Sequence, residues 1–83
     1  MMGSGTEPVT PLMMLRPGDR AKVVEVQGGR GVRQRLSSMG VYPGEYVSLV
    51  RGGRGGPVIV EVRGSRVVIG RGMAHRVMVE KVG

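Results

Sequence analysis

Glycine and proline interrupt this chain so often that only short strands and short helical turns fit between them. The 16 glycines and 5 prolines, 21 of 83 residues, have no period and fall between short valine-rich runs. The lack of period excludes collagen, and short apolar runs between turn residues are the pattern of a small all-β domain with many tight turns. Five runs read as strands: Ala21 to Val26, Tyr46 to Val50, Val58 to Arg63, Arg66 to Ile69 and Arg76 to Val82. In the third, Val58, Val60 and Val62 recur at period two and share one face. In the first, the alternation slips between Val23 and Val24, which predicts a bulge or burial on both sides.

Turn chemistry fixes the joints between these runs. Pro17-Gly18-Asp19 and Pro43-Gly44-Glu45 each precede a strand. Proline presets φ at the second turn position and glycine accepts the positive φ of the third, so both read as type II turns. Gly64-Ser65 between the third and fourth runs signals a tight hairpin of type I′ or II′. One helix breaks the pattern at about Val32 to Met39, where Val32, Leu36 and Met39 stand at i, i+4 and i+7. Gly40 follows where a left-handed cap is wanted, and Leu12 to Leu15 reads as one helical turn laid on the core. Residues 1–10 read as a loose tail and residues 11–83 as one domain. The economical architecture is a small SH3-like barrel of about five strands with one short helix, an OB-fold being its nearest competitor.

Composition narrows the function. An 83-residue chain buries only about 60% of its unfolded surface, which leaves little room for a deep catalytic cleft. Aromatic residues are 2% of the chain, Tyr42 and Tyr46 alone, so the core must be aliphatic. The absence of cysteine removes disulfides, zinc ribbons and thiol chemistry, and fits a reducing cytoplasm. His75, the one histidine, is the one candidate metal ligand, and a single imidazole among scattered carboxylates falls short of a stable site. The start Met1 to Pro8 has neither a basic nor an apolar signal region, and no apolar run approaches the roughly 20 residues of a membrane span. The expectation is a chain that is not an enzyme.

The charge is strongly basic, but by itself it does not choose a partner. Thirteen basic residues against 6 acidic ones give a net +7. Such an excess draws nucleic acid, anionic lipid or acidic protein surfaces. A basic small-barrel nucleic-acid binder, using Arg33, Arg35, Arg51, Arg54, Arg63, Arg66 and Arg71 as a phosphate stripe, is the alternative function. The lack of Phe and Trp counts against it, because single-strand binders use aromatic platforms. The glycine-rich segments Gly28 to Gly31 and Gly52 to Gly56 lack the Lys-Ser/Thr of a P-loop and read as loops.

The order of these motifs closely resembles the FeoA family. It is carried by Leu12-x-x-Leu15-Arg16-Pro17-Gly18-Asp19, a valine-rich strand, then Arg35-Leu36-Ser37-Ser38-Met39-Gly40-Val41-Tyr42-Pro43-Gly44. Gly56-Pro57-Val58-Ile59-Val60, then Gly64 and Ile69, look like the family's final hairpin, and Ala74 precedes its closing strand. Met39 stands where leucine is usual, a swap near in volume. The resemblance spans about residues 12 to 82. It implies an SH3-like barrel that assists FeoB, the GTPase-linked membrane transporter of ferrous iron. The module also resembles the C-terminal domain of metal-dependent repressors of the DtxR type, but no DNA-binding helical domain precedes it here.

The implied role is a cytoplasmic accessory or regulatory protein of ferrous iron uptake. It has no cofactor beyond a transient Fe²⁺ contact, and a homo-oligomer is left open. The contact surface expected for the transporter is the helix and its following turn: Arg33, Arg35, Leu36, Met39, Val41 and Tyr42. Arg33 and Tyr42 lead that set, because Arg and Tyr are enriched at interface hot spots. The excess basic residues would in addition recruit the protein to the anionic inner face of the membrane.

Overall fold

Alternating valines build the sheet that organises the chain. In the computed structural model, which describes residues 8–52 and 55–82, six strands and two short helices follow in the order β1 (Val9–Pro11), a 3-10 turn (Leu12–Met14), β2 (Arg20–Val26), α1 (Arg30–Ser38), β3 (Tyr46–Arg51), β4 (Val58–Val62), β5 (Ser65–Ile69), α2 (Arg71–Ala74) and β6 (Val77–Val82). All pairings are antiparallel, in the spatial order β1-β6-β2-β3-β4-β5. The sheet coils around one aliphatic core as a small SH3-like barrel. Leu12, Ala21, Val23, Leu36, Val41, Val58, Val60, Ile69, Ala74, Val77 and Val79 are each 0% exposed, and no polar or charged residue is buried among the described residues.

The turns follow their residues. Gly18 (φ 95°) and Gly44 (φ 98°) take the positive φ of type II turns, and the turns close through Asp19 N–H to Arg16 C=O (2.9 Å) and Glu45 N–H to Tyr42 C=O (3.0 Å). The bulge expected at Val24 is present: the β2–β6 register slips between Val23 and Glu25. It is locked from outside by Gly44 N–H to Val23 C=O and Val23 N–H to Glu45 C=O, both 2.8 Å. The second turn is therefore stapled to the kink in β2.

In detail the structure departs from the expected layout. The described residues form six strands where about five were expected, the added one being Val9–Pro11, which pairs with Met78 to Glu80 of β6. The sheet thus begins inside the segment read as a tail, whose residues 1–7 lie outside the described residues. The β4–β5 turn is Arg63-Gly64 rather than Gly64-Ser65: Val62 pairs with Ser65, and both turn residues have positive φ (52° and 81°), a type I′ turn. The first helix starts at Arg30 instead of Val32, and a second, one-turn helix covers Arg71–Ala74.

The carboxylates Asp19 and Glu45 give the fold an acid sensitivity. The Arg16 backbone N–H (2.9 Å), helped by Lys81 (3.5 Å), holds Asp19 below its ordinary value of 3.8. Hydrogen bonds from Arg63 hold Glu45 below its ordinary value of 4.5. With both lowered in the folded state, the unfolded chain binds more protons in acid. Their stabilisation is complete above the ordinary values and is lost as pH falls through the folded ones. Thermal unfolding followed from about pH 6 down to about pH 2 should show this loss, with a flatter decline for the Asp19→Asn, Glu45→Gln double variant.

Candidate functional site

The site is built where α1 hands over to the second type II turn. The helix starts without a side-chain cap at Gly29 and without an acid in its first turn, so packing holds it. Its end is well specified. Gly40 (φ 91°) donates to Ser37 C=O (2.9 Å) and Val41 donates to Leu36 C=O (2.9 Å), the paired bonds of a Schellman motif. The apolar contact that accompanies this motif falls between Leu36 and Val41, both 0% exposed. Glycine at that position turns the chain sharply and lays Tyr42 and Pro43 back alongside the helix.

Between the helix, this turn and β2 lies an open cleft of about 370 Å³. Val24, Val26, Val41 and Pro43 give it an apolar floor, and Glu25, Arg33, Ser37 and Tyr42 supply polar groups. The Tyr42 ring is held in place rather than loose. Arg63 Nη2 donates to the Tyr42 hydroxyl (2.8 Å) and to Glu45 Oε1 (3.1 Å), while Arg63 Nε donates to Glu45 Oε2 (3.2 Å). This fork is bidentate, the geometry in which Arg orients its partners best. Glu45 above all, with a smaller contribution from Tyr42, holds the Arg63 guanidinium charged, above its ordinary range. Arg63 stands in the hairpin at φ 52°, and its side chain reaches that turn.

Not all residues expected to form the contact surface meet in this cleft. Arg33 and Tyr42 line it together. Arg35 does not, because residues two apart on a helix diverge by about 200° around its axis. It lines a smaller groove of about 280 Å³ with Gly31, Val32 and Met73 of α2. Leu36 is a correction: fully buried in the core, it has no surface for a partner, whereas Val41, equally buried, backs the floor of the cleft. Met39 packs half-buried against the core. Glu25, Ser37 and the tethering Arg63 were not foreseen in the site.

The wider charge pattern is dispersed. Arg33 and Arg35 leave α1 on opposite flanks, Arg63 is engaged by Glu45, and Arg54 lies outside the described residues. Arg51 and Arg66 stand exposed on β3 and β5, and Arg71 opens α2. A further cation sits over an aromatic face, Arg20 at 4.9 Å from the Tyr46 ring centre. His75 stands exposed at the end of α2. Among the described residues, no three His, Cys, Asp or Glu side chains gather as a metal-holding group.

Comparison with known proteins places these features in a family context. Residues 10–81 match the FeoA domain family. A protein of Methanocaldococcus jannaschii named "Putative Fe(2+) transport protein A" is 40% identical over 70 residues, 84% of each chain. A crystal structure of an iron uptake regulatory protein (FeoA) superposes with a TM-score of 0.87 at 44% identity, covering 90% of this chain and all of that one. A manganese-dependent transcriptional repressor matches at TM-score 0.83 over 93% of this chain and 44% of the repressor, and at 19% identity that likeness concerns the fold alone.

Proposed function

The chain belongs to the FeoA family, and on that premise we propose that it is an accessory protein of ferrous iron uptake that docks on the cytosolic part of a FeoB-type transporter. The observation behind this reading is the cleft between α1, β2 and the Tyr42-Pro43 turn. An apolar floor ringed by Arg33, Ser37 and a tethered Tyr42 is the make-up of a small protein-docking pocket. Tethering matters because a side chain already fixed in its bound position loses less freedom on association. The role is binding and regulation, in the cytoplasm. Among the described residues no helix is long and apolar enough to cross a membrane. The excess positive charge would help hold the protein beside an anionic leaflet, and co-sedimentation with vesicles that ignored lipid charge would remove that part of the reading.

Titration of the transporter's cytosolic region against wild-type protein and against Arg33→Glu and Tyr42→Ala tests the placement. Each substitution removes a central cleft group, so each should weaken binding about tenfold or more. Arg35→Glu, on the opposite flank, should leave the affinity within about twofold. Full affinity in both cleft variants would move the docking surface elsewhere.

A further inference from the structure

Among the described residues the end strand β5 has an unpaired outer edge, and its register is set by its hairpin. Val62 and Ser65 close the two-residue turn as a hydrogen-bonded pair, and antiparallel pairs alternate from there. Ser65, Val67 and Ile69 therefore bond to β4, while Arg66 and Val68 turn their N–H and C=O groups outward. β5 is last in the strand order, and no backbone bond from outside the ladder reaches Arg66 or Val68 among the described residues. The opposite edge, β1, is three residues long and bounded by Pro8 and Pro11, the usual protection of an edge. β5 has no proline, and Val68 is 59% exposed.

The outer face of the β4–β5 pair shows what would fit. Its two cross-strand rows are Ile59 with Val68 and Glu61 with Arg66. A further strand continues these rows best with an aliphatic side chain beside Val68 and a carboxylate beside Arg66, which would then lie between two acids. A second copy of β5 cannot supply that pattern. Antiparallel registers set Arg66 of one copy against Arg66, Val68 or Gly70 of the other, and none of them supplies a carboxylate. The net charge of +7 further opposes self-pairing and favours an acidic partner.

We propose that the outer edge of β5 takes up an extended segment of an acidic partner protein as a seventh, antiparallel strand. Reading from its N-terminus, the segment presents an aliphatic residue opposite Val68, one residue between, and Asp or Glu opposite Arg66. Main-chain bonds to Arg66 and Val68 give the affinity and the two outer-face side chains give the selectivity. This edge is separate from the cleft, and its occupant does not depend on what the cleft binds.

The probe is the peptide acetyl-Gly-Thr-Val-Thr-Glu-Thr-Gly-amide, with a control in which Lys replaces Glu, titrated into the ¹⁵N-labelled full chain. The Glu peptide should shift the Arg66 and Val68 amides and slow their exchange, and should bind about fivefold tighter than the Lys peptide. In Arg66→Glu the order of the two peptides should invert. Val68→Pro removes an outward N–H that makes no ladder bond, so the chain should keep its fold and lose the peptide; if it does not fold, the inversion in Arg66→Glu decides. Equal affinity for both peptides, undiminished binding to folded Val68→Pro, or the same amide shifts on concentrating the chain alone would overturn the proposal.

Discussion

Replacing Leu36 by alanine is expected to lower the midpoint of thermal unfolding by about 15 °C or more. Leu36 is 0% exposed and is the residue by which α1 enters the barrel core. It also packs as the inner partner of the Schellman motif, with its C=O accepting from Met39 (3.0 Å) and Val41 (2.9 Å). Truncation removes apolar contact from a tightly filled site and leaves a cavity that the sheet cannot close, at a cost of about 3 kcal/mol. In a domain of this size each kcal/mol shifts the midpoint by roughly 4–8 °C. Calorimetry checks the number. A midpoint that moved by only a few degrees, together with lost transporter binding, would mean that Leu36 faces the partner after all.

Gly40→Ala should cost about 2–3 kcal/mol, for two separable reasons. At φ 91° a side chain is strained in any surroundings. In addition, a Cβ there would stand 3.1 Å from Cγ1 of Val62, a core residue with little room to give. Gly44 supplies the control. Its φ of 98° is similar, but a Cβ would meet nothing within 4 Å. Gly44→Ala should therefore cost only the backbone strain, about 1 kcal/mol, and denaturant unfolding of the two variants should differ by the Val62 contact. Equal losses would mean that Val62 adapts freely and that the helix end is not wedged against β4.

The parts of the fold written in local chemistry were legible. Pro-Gly pairs fixed both type II turns, Gly40 marked the helix end, and broken alternation at Val23-Val24 located the bulge. What escaped notice depends on long-range pairing. Val9–Pro11 is three residues long, preceded by Pro8 and ending in Pro11, and it becomes a strand only because β6 lies beside it. Arg71–Ala74 contains a glycine and spans one turn, too short for helical periodicity to register. The Arg63-Gly64 turn was displaced by one residue because its first position is an arginine at φ 52°, an unusual place for a side chain.

The candidate site was half legible. Arg33 and Tyr42, expected on one surface, line the same cleft, and helical spacing alone separates Arg33 from Arg35 by more than half a turn. The same spacing, with the apolar contact of a glycine-capped helix end, assigns Leu36 and Val41 to the interior. The Arg63 tether was not accessible to local reading. It joins residues 18 and 21 positions apart, Glu45 and Tyr42, and exists only after the hairpin has folded over the turn.

Chemical-shift mapping of the ¹⁵N-labelled chain against the cytosolic region of a FeoB-type transporter most directly tests whether the cleft is the docking surface. Binding should perturb the amides of Val24 to Val26, Arg33, Ser37 and Tyr42, and leave those around Arg35 and Met73 in place. Saturable binding with its perturbations confined to the Arg35–Met73 groove, or no binding at all at high concentration of a folded transporter region, would contradict it.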